Sequence, residues 1–335
     1  MRRKWLMLLA GLLVVVLLSA CGTKSQGDVT KELNGKLGEI KSYQAHAKMT
    51  LQMGTEPQTY DIEVWHKDPS YYRVNLKNVQ KDQSQMILRN DEGVFVLTPA
   101  LNKSFRFQSE WPQNSSQAYL YESLIKDITE DKEAKFTVTK DHYVFETKTR
   151  YQNNQMLPTQ EITLKKSDLS PVSVNVMDTD KNALVKVLFS EVKFNAKFDK
   201  KDFDMQKNLT RVQLEVPVMA ELSDKEFSVK YPTEFPGADL TDEKEIKTEN
   251  GKRVVLTYDG EKSFTLVQEK AVVMPVSSLT SIKGEPVDLG FTIGALSNKT
   301  ISWTYHGVDY MLASNDLTDE ELAAVARSTQ ESMVK

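Results

Sequence analysis

Residues 46–53 read His46-Ala47-Lys48-Met49-Thr50-Leu51-Gln52-Met53. Apolar side chains at Ala47, Met49, Leu51 and Met53 alternate with polar ones at the even positions. A period of two places the two sets on opposite faces of an extended chain, so this stretch predicts a strand with one apolar face. The same alternation returns at Tyr60, Ile62 and Val64, and at Tyr72, Val74 and Leu76 after the Asp68-Pro69-Ser70 break. Met86-Ile87-Leu88, a turn at Gly93 and Val94-Phe95-Val96-Leu97 predict a hairpin, with Phe105 and Phe107 in the next strand. Further strands are predicted around Phe136, Phe145, Ile162, Val174-Asn175-Val176 and Val185 to Phe194.

Two helices interrupt this pattern. Val29, Leu33, Leu37 and Ile40 recur at i, i+4, i+8 and i+11, one apolar stripe over 28–40. Leu120, Leu124 and Ile128 recur every four residues behind Asn114-Ser115-Ser116, which offer capping side chains. Many hairpin-length strands and only two helices predict a large antiparallel sheet curved around those helices. The pattern stops near Val216. Residues 216–335 hold shorter strands, at Phe227 to Val229, Val254 to Tyr258, Phe264 to Val267, Ile301 to Tyr305 and Tyr310 to Leu312. They end in a helix opened by the capping box Thr318-Asp319-Glu320-Glu321. The expectation is a second, small α+β domain.

The N-terminus carries an export signal. Met1-Arg2-Arg3-Lys4 precedes an uncharged, Leu- and Val-rich run from Trp5 to Ala20, which is short for a spanning helix of roughly 20 residues. The run ends at Leu18-Ser19-Ala20-Cys21-Gly22, which resembles the lipobox of bacterial lipoproteins. That resemblance implies a signal peptide over 1–20, lipidation of Cys21, a tether over 21–27 and an extracytoplasmic protein anchored to the cell membrane. Acyl chains hold by about 0.8 kcal/mol per buried CH₂. Cys21 is the sole cysteine, so the mature fold has no internal disulfide.

Loss of Arg2, Arg3 and Lys4 takes the net charge from −4 to −7. This acidic balance argues against nucleic acid as a partner. No His-Glu-x-x-His motif or Gly-rich phosphate loop is present. His46, His66, His142 and His306 show no ligand spacing and read as strand-face or solvated residues. The carboxylate runs Asp127 to Glu133 and Asp239 to Glu249 read as solvated loops and helix ends. No catalytic residue, metal site or cofactor is expected, and the chain reads as no enzyme.

The order helix, Leu37 to Ala45, Trp65-His66-Lys67-Asp68-Pro69, Asn90 to Pro99 and Lys103 to Phe107 resembles the periplasmic lipoprotein-carrier (LolA/LolB-like) family. Asp199 to Met205 resembles that family's closing segment, and the likeness covers about residues 28 to 210. Ile301-Ser302-Trp303, Gly307 to Tyr310 and Glu321 to Ser328 resemble a small domain of Gram-positive lipoproteins and anti-sigma-type chains. The pairing resembles envelope proteins of spore formers. The resemblance implies an incomplete antiparallel β-barrel (a half-barrel) over 28–215 with helices in its mouth, and an apolar hollow that accepts acyl chains or lipoproteins in sporulation or envelope biogenesis. Its wall would be Met49, Leu51, Met53, Met86, Leu88, Val94, Val96, Phe105, Phe107, Val174 and Val176, with Leu120 and Leu124 on a lid helix. Periodicity alone does not separate such a hollow from a filled core. The alternative reading is a protein-interaction or sensory scaffold of an envelope or spore complex. Asp68 stands where the soluble carriers have a lid-latching Arg, and a carboxylate cannot donate that hydrogen bond.

Overall fold

Alternation of apolar side chains is realised as a long run of paired strands. The structure is a computed structural model. It describes residues 24–52, 57–80, 84–112, 116–151, 157–215, 227–233, 237–249, 251–272, 278–282 and 284–329. Cys21, the expected signal peptide over 1–20 and Met53 lie outside the described residues. Helix α1 (Gln26–Glu39) opens the fold, capped by Ser25 in a capping box with Asp28. It therefore begins within the expected tether and buries Val29 and Leu33.

Strands β1 (Ser42–Leu51), β2 (Gln58–Lys67), β3 (Tyr71–Asn78), β4 (Ser84–Asn90), β5 (Gly93–Thr98) and β6 (Lys103–Phe107) follow as an antiparallel meander. Gly93 closes the β4–β5 turn at φ +140°, and a Cβ there would meet the Phe107 carbonyl oxygen at 2.9 Å. Helix α2 (Tyr121–Glu130) comes next, starting five residues beyond Ser116, which bonds Asp127 instead of capping it. Strands β7 (Lys135–Val138), β8 (His142–Lys148), β9 (Thr159–Lys165), β10 (Pro171–Met177) and β11 (Ala183–Phe194) return the chain to β1. Helix α3 (Met205–Glu215) lies behind the sheet.

The second sheet uses β12 (Ala238–Thr248), β13 (Gly251–Gly260) and β14 (Phe264–Lys270), whereas the next strand, β15 (Ser278–Ile282), is no part of it. Strands β16 (Glu285–Asp288), β17 (Ile293–Ser297), β18 (Thr300–Tyr305) and β19 (Val308–Ala313) complete it, and α4 (Asp319–Ser328) covers one face. Thr318 and Glu321 form the expected capping box. No strand forms at 227–229.

The first sheet runs β15-β6-β5-β4-β3-β2-β1-β11-β10-β9-β8-β7, an open, mostly antiparallel half-barrel. Its edge is extended by β15, parallel to β6, so the segment past Val216 supplies one strand to the first sheet. The second sheet runs β12-β13-β14-β19-β18-β17-β16. The fold class is α+β, as expected.

Candidate functional site

The strands curve around their own contents. Met49, Leu51, Val94, Val96, Phe107, Val174 and Val176 are buried on the concave side with Leu120 and Leu124 of the α2 segment, and Phe105 packs partly against them. Met86 and Leu88 are not part of this wall. They lie on the convex face with Tyr71, Phe95, Leu97, Phe203 and Leu209, beneath α3 and the short turn before it. The cause is register. Val74 pairs with Ile87 and Ile87 with Val96, so Ile87 faces inward and its two neighbours face outward.

The expected hollow is largely filled. Besides α2, the loop 288–293 of the second segment reaches into the mouth of the half-barrel. Phe291 is buried there, and the Tyr60 hydroxyl donates to its carbonyl at 2.9 Å. Gln85 clasps Ile293 on both sides, accepting from its N–H at 2.7 Å and donating to its carbonyl at 3.2 Å. Tyr305 donates to Gln58 at 2.6 Å. Beside this plug a void of about 70 Å³ remains, bordered by Met49, Leu76, Tyr119 and Phe291.

A larger hollow lies between the two sheets. About 470 Å³ is lined by Val96, Phe105 and Phe107 from the half-barrel and by Ile246, Val255, Val267 and Met311 from the second sheet. Two ion pairs flank it. Lys103 meets Asp309 at 2.6 Å, bridging the sheets, and Arg253 meets Glu269 at 2.7 Å. Because each cation is matched by an acid, the cleft offers apolar walls and no net charge from these four groups. Of the expected wall residues, Val96, Phe105 and Phe107 border this cleft, and Met49 borders only the small void. Gln85, Thr98, Ile293 and Thr304 border both spaces and form the partition.

The lid helix has a fastening that the sequence reading missed. Asp68 forms only an exposed contact with Lys41 at 3.4 Å. Instead Glu122, in the first turn of α2, accepts from the Tyr43 hydroxyl at 2.9 Å and meets His66 Nε2 at 3.1 Å. His66 is buried, and its Nδ1 faces the Tyr71 carbonyl at 3.1 Å. A carbonyl only accepts, so Nδ1 carries a proton, and a further proton between Nε2 and Glu122 completes the pair. Burial pushes the Glu122 carboxyl above its ordinary value, opposed by the adjacent His66 and the Tyr43 hydroxyl. Burial likewise raises the Tyr43 hydroxyl. Five residues further along α2, Asp127 is buried and accepts from Arg150, from Ser116 at 2.9 Å and from Gln160 at 2.6 Å. It is not a solvated helix end. Among the described residues no group of three or more His, Cys, Asp or Glu is placed to hold a metal, and no helix is long and apolar enough to cross a membrane.

Comparison with known proteins places the chain among relatives. Residues 2–203 match the family model described as sporulation protein YdcC-like. The chain is 58% identical over 330 residues to sporulation protein YdcC of Bacillus subtilis (strain 168), covering 98% of this chain and 97% of that protein. Among solved structures it is similar to a chain of the Pseudomonas aeruginosa MucA/MucB complex, at 15% identity and TM-score 0.34, over 90% of this chain and 96% of that one. It is also similar to a LolA-superfamily protein from Nitrosomonas europaea, at 13% identity and TM-score 0.30, over 53% and 98%. The fold stands on the strand order, and these low scores add nothing to it.

Proposed function

The chain belongs to the YdcC-like family of sporulation proteins, and from that membership we propose that it is a lipid-anchored, extracytoplasmic, non-enzymatic binding protein of sporulation. Its ligand is an apolar chain, held in the cleft between the two sheets. The observation that carries this reading is the cleft itself. Ligand sites enclose about 300–1,000 Å³ behind mostly apolar walls with a few placed polar groups, and the inter-sheet space of about 470 Å³ has that character. The half-barrel interior does not serve, because α2 and the loop 288–293 occupy it. The anchor follows from Leu18-Ser19-Ala20-Cys21 and the preceding apolar run.

Native mass spectrometry with lipid extraction, on soluble chain beginning at Gly22, tests the ligand. A stoichiometric acyl-bearing molecule, lost in Val267→Asp with the circular dichroism unchanged, is the expected result. Protein that stays empty after incubation with fatty acid and phospholipid vesicles refutes it. Labelling cells with radioactive palmitate tests the anchor separately, with label expected in the native chain and absent from Cys21→Ala.

A further inference from the structure

Strand β12 stands apart from the other strands whose side-chain burial is described throughout. From Asp239 to Lys247 each side chain is exposed, on both faces. Among the described residues β13 is the one strand hydrogen-bonded to it. The sheet's opposite edge, β16, is four residues long, whereas β12 runs for eleven. Ordering a strand's backbone costs conformational entropy, and β12 offsets this with little burial of its own. A row of N–H and C=O groups on such an edge is a template for another strand.

Edges are ordinarily blunted by bulges, short length or charge. A bulge does interrupt β12 between Leu240 and Asp242, but Asp242 to Thr248 then pairs with Thr257 to Gly251 in unbroken register. Charge decides what can pair there. Asp239, Asp242, Glu243 and Glu245 face only Lys244 and Lys247 within the strand. Like charges directly opposite one another destabilise a strand pair, so where acids outnumber lysines a basic strand is favoured over an acidic one. Glu243 accepts from Tyr231, and Glu245 lies 3.7 Å from Lys252, yet both stay exposed. Lys244 and Ile246 pair with Val255 and Arg253 on the cleft face, and Ile246 borders the cleft. Glu243 and Glu245 lie on the other face, opposite Leu256 and Val254.

We infer that the free edge of β12 over residues 242–248 docks an extended, basic segment of a partner protein, which joins the second sheet as an added strand. Its basic side chains lie beside Glu243 and Glu245, and its alternate, apolar side chains lie beside Ile246. This surface stands independently of the ligand assigned to the cleft.

Hydrogen exchange on soluble chain beginning at Gly22 tests it, with the heptapeptide Val-Lys-Val-Lys-Val-Lys-Val as probe and its glutamate counterpart as control. The lysine peptide should slow exchange at alternate amides of 242–248, and the glutamate peptide should not. Reversing both acids, in Glu243→Lys with Glu245→Lys, should weaken binding about tenfold, since each opposed pair is worth roughly 0.2–1 kcal/mol and changes sign. Adjacent amides of a strand point to opposite sides. Of Glu243→Pro and Lys244→Pro, therefore, the one that removes an outward amide should stay folded and lose the protection. Binding without amide protection, equal binding of the glutamate peptide, absence of binding, or self-association that protects the same amides would each overturn the inference.

Discussion

The interior of the half-barrel and the cleft between the sheets are walled by the same kinds of side chain, yet one is full and the other open. In the interior, a curved sheet meets α2 and the loop 288–293, whose Leu120, Leu124 and Phe291 supply apolar volume of their own. About 70 Å³ is left. In the cleft two sheets face each other, among the described residues its lining comes from strands alone, and about 470 Å³ is left. Interdigitating sheet faces pack about 10 Å apart. Here the Lys103–Asp309 pair bridges the sheets at one side of the opening. Apolar walls alone do not make a binding site; what matters is whether another element carries the side chains to fill the space.

The comparison can be broken or sharpened by substitution. The largest effect should come from Arg150→Ala, which leaves the buried Asp127 without its cation. Stranding a buried charge costs about 3–5 kcal/mol, readable as a lowered midpoint in denaturant unfolding. Leu124→Ala, in the filled interior, should cost about 2–5 kcal/mol by the same measurement; a loss under 1 kcal/mol would mean that the interior is loosely packed after all. Gln85→Ala removes the clasp on Ile293 and leaves a buried N–H and C=O, at about 1–3 kcal/mol. It also thins the partition, so uptake of acyl probes should rise relative to the native chain.

A smaller effect concerns pH. Burial raises the Glu122 carboxyl, so the folded state holds that proton more tightly than the unfolded chain does. Its contribution to stability is present below the ordinary carboxylate value of 4.5 and is lost as pH rises through the raised value. Glu122→Gln should flatten that part of the stability–pH curve; an unchanged slope would remove Glu122 as its source. Smallest of all should be Val267→Ala on the open cleft, below about 1 kcal/mol in stability, with its effect confined to ligand retention.

How much of this was legible varied with the element. In β1 and β2 the alternating apolar positions are the buried ones, because one face of each strand is apolar and the other mostly polar. In β4, Met86, Ile87 and Leu88 are all buried, since α3 covers the convex face there. A run apolar on both faces has no readable direction, and Met86 and Leu88 were placed on the wrong side. The opposite failure occurred in β12, whose charges gave no alternation at all and read as a loop. The acids of that stretch form an edge because β13 pairs with them, not because of any preference of their own. The His66–Glu122 contact joins β2 to α2 across 56 residues, and no local spacing predicts a contact that curvature brings together.

The chain's own pattern therefore determined the number and kind of most elements, the α+β class and the capped last helix. These depend on periodicity, capping and local composition, which act over a few residues. Tertiary structure alone decided which face of β4 looks inward, that β15 would cross to the first sheet, that the loop 288–293 would fill the half-barrel, and that the open space would lie between the sheets. Each of those outcomes depends on contacts between segments far apart in the chain, where side-chain volume and strand register, not local preference, select the arrangement.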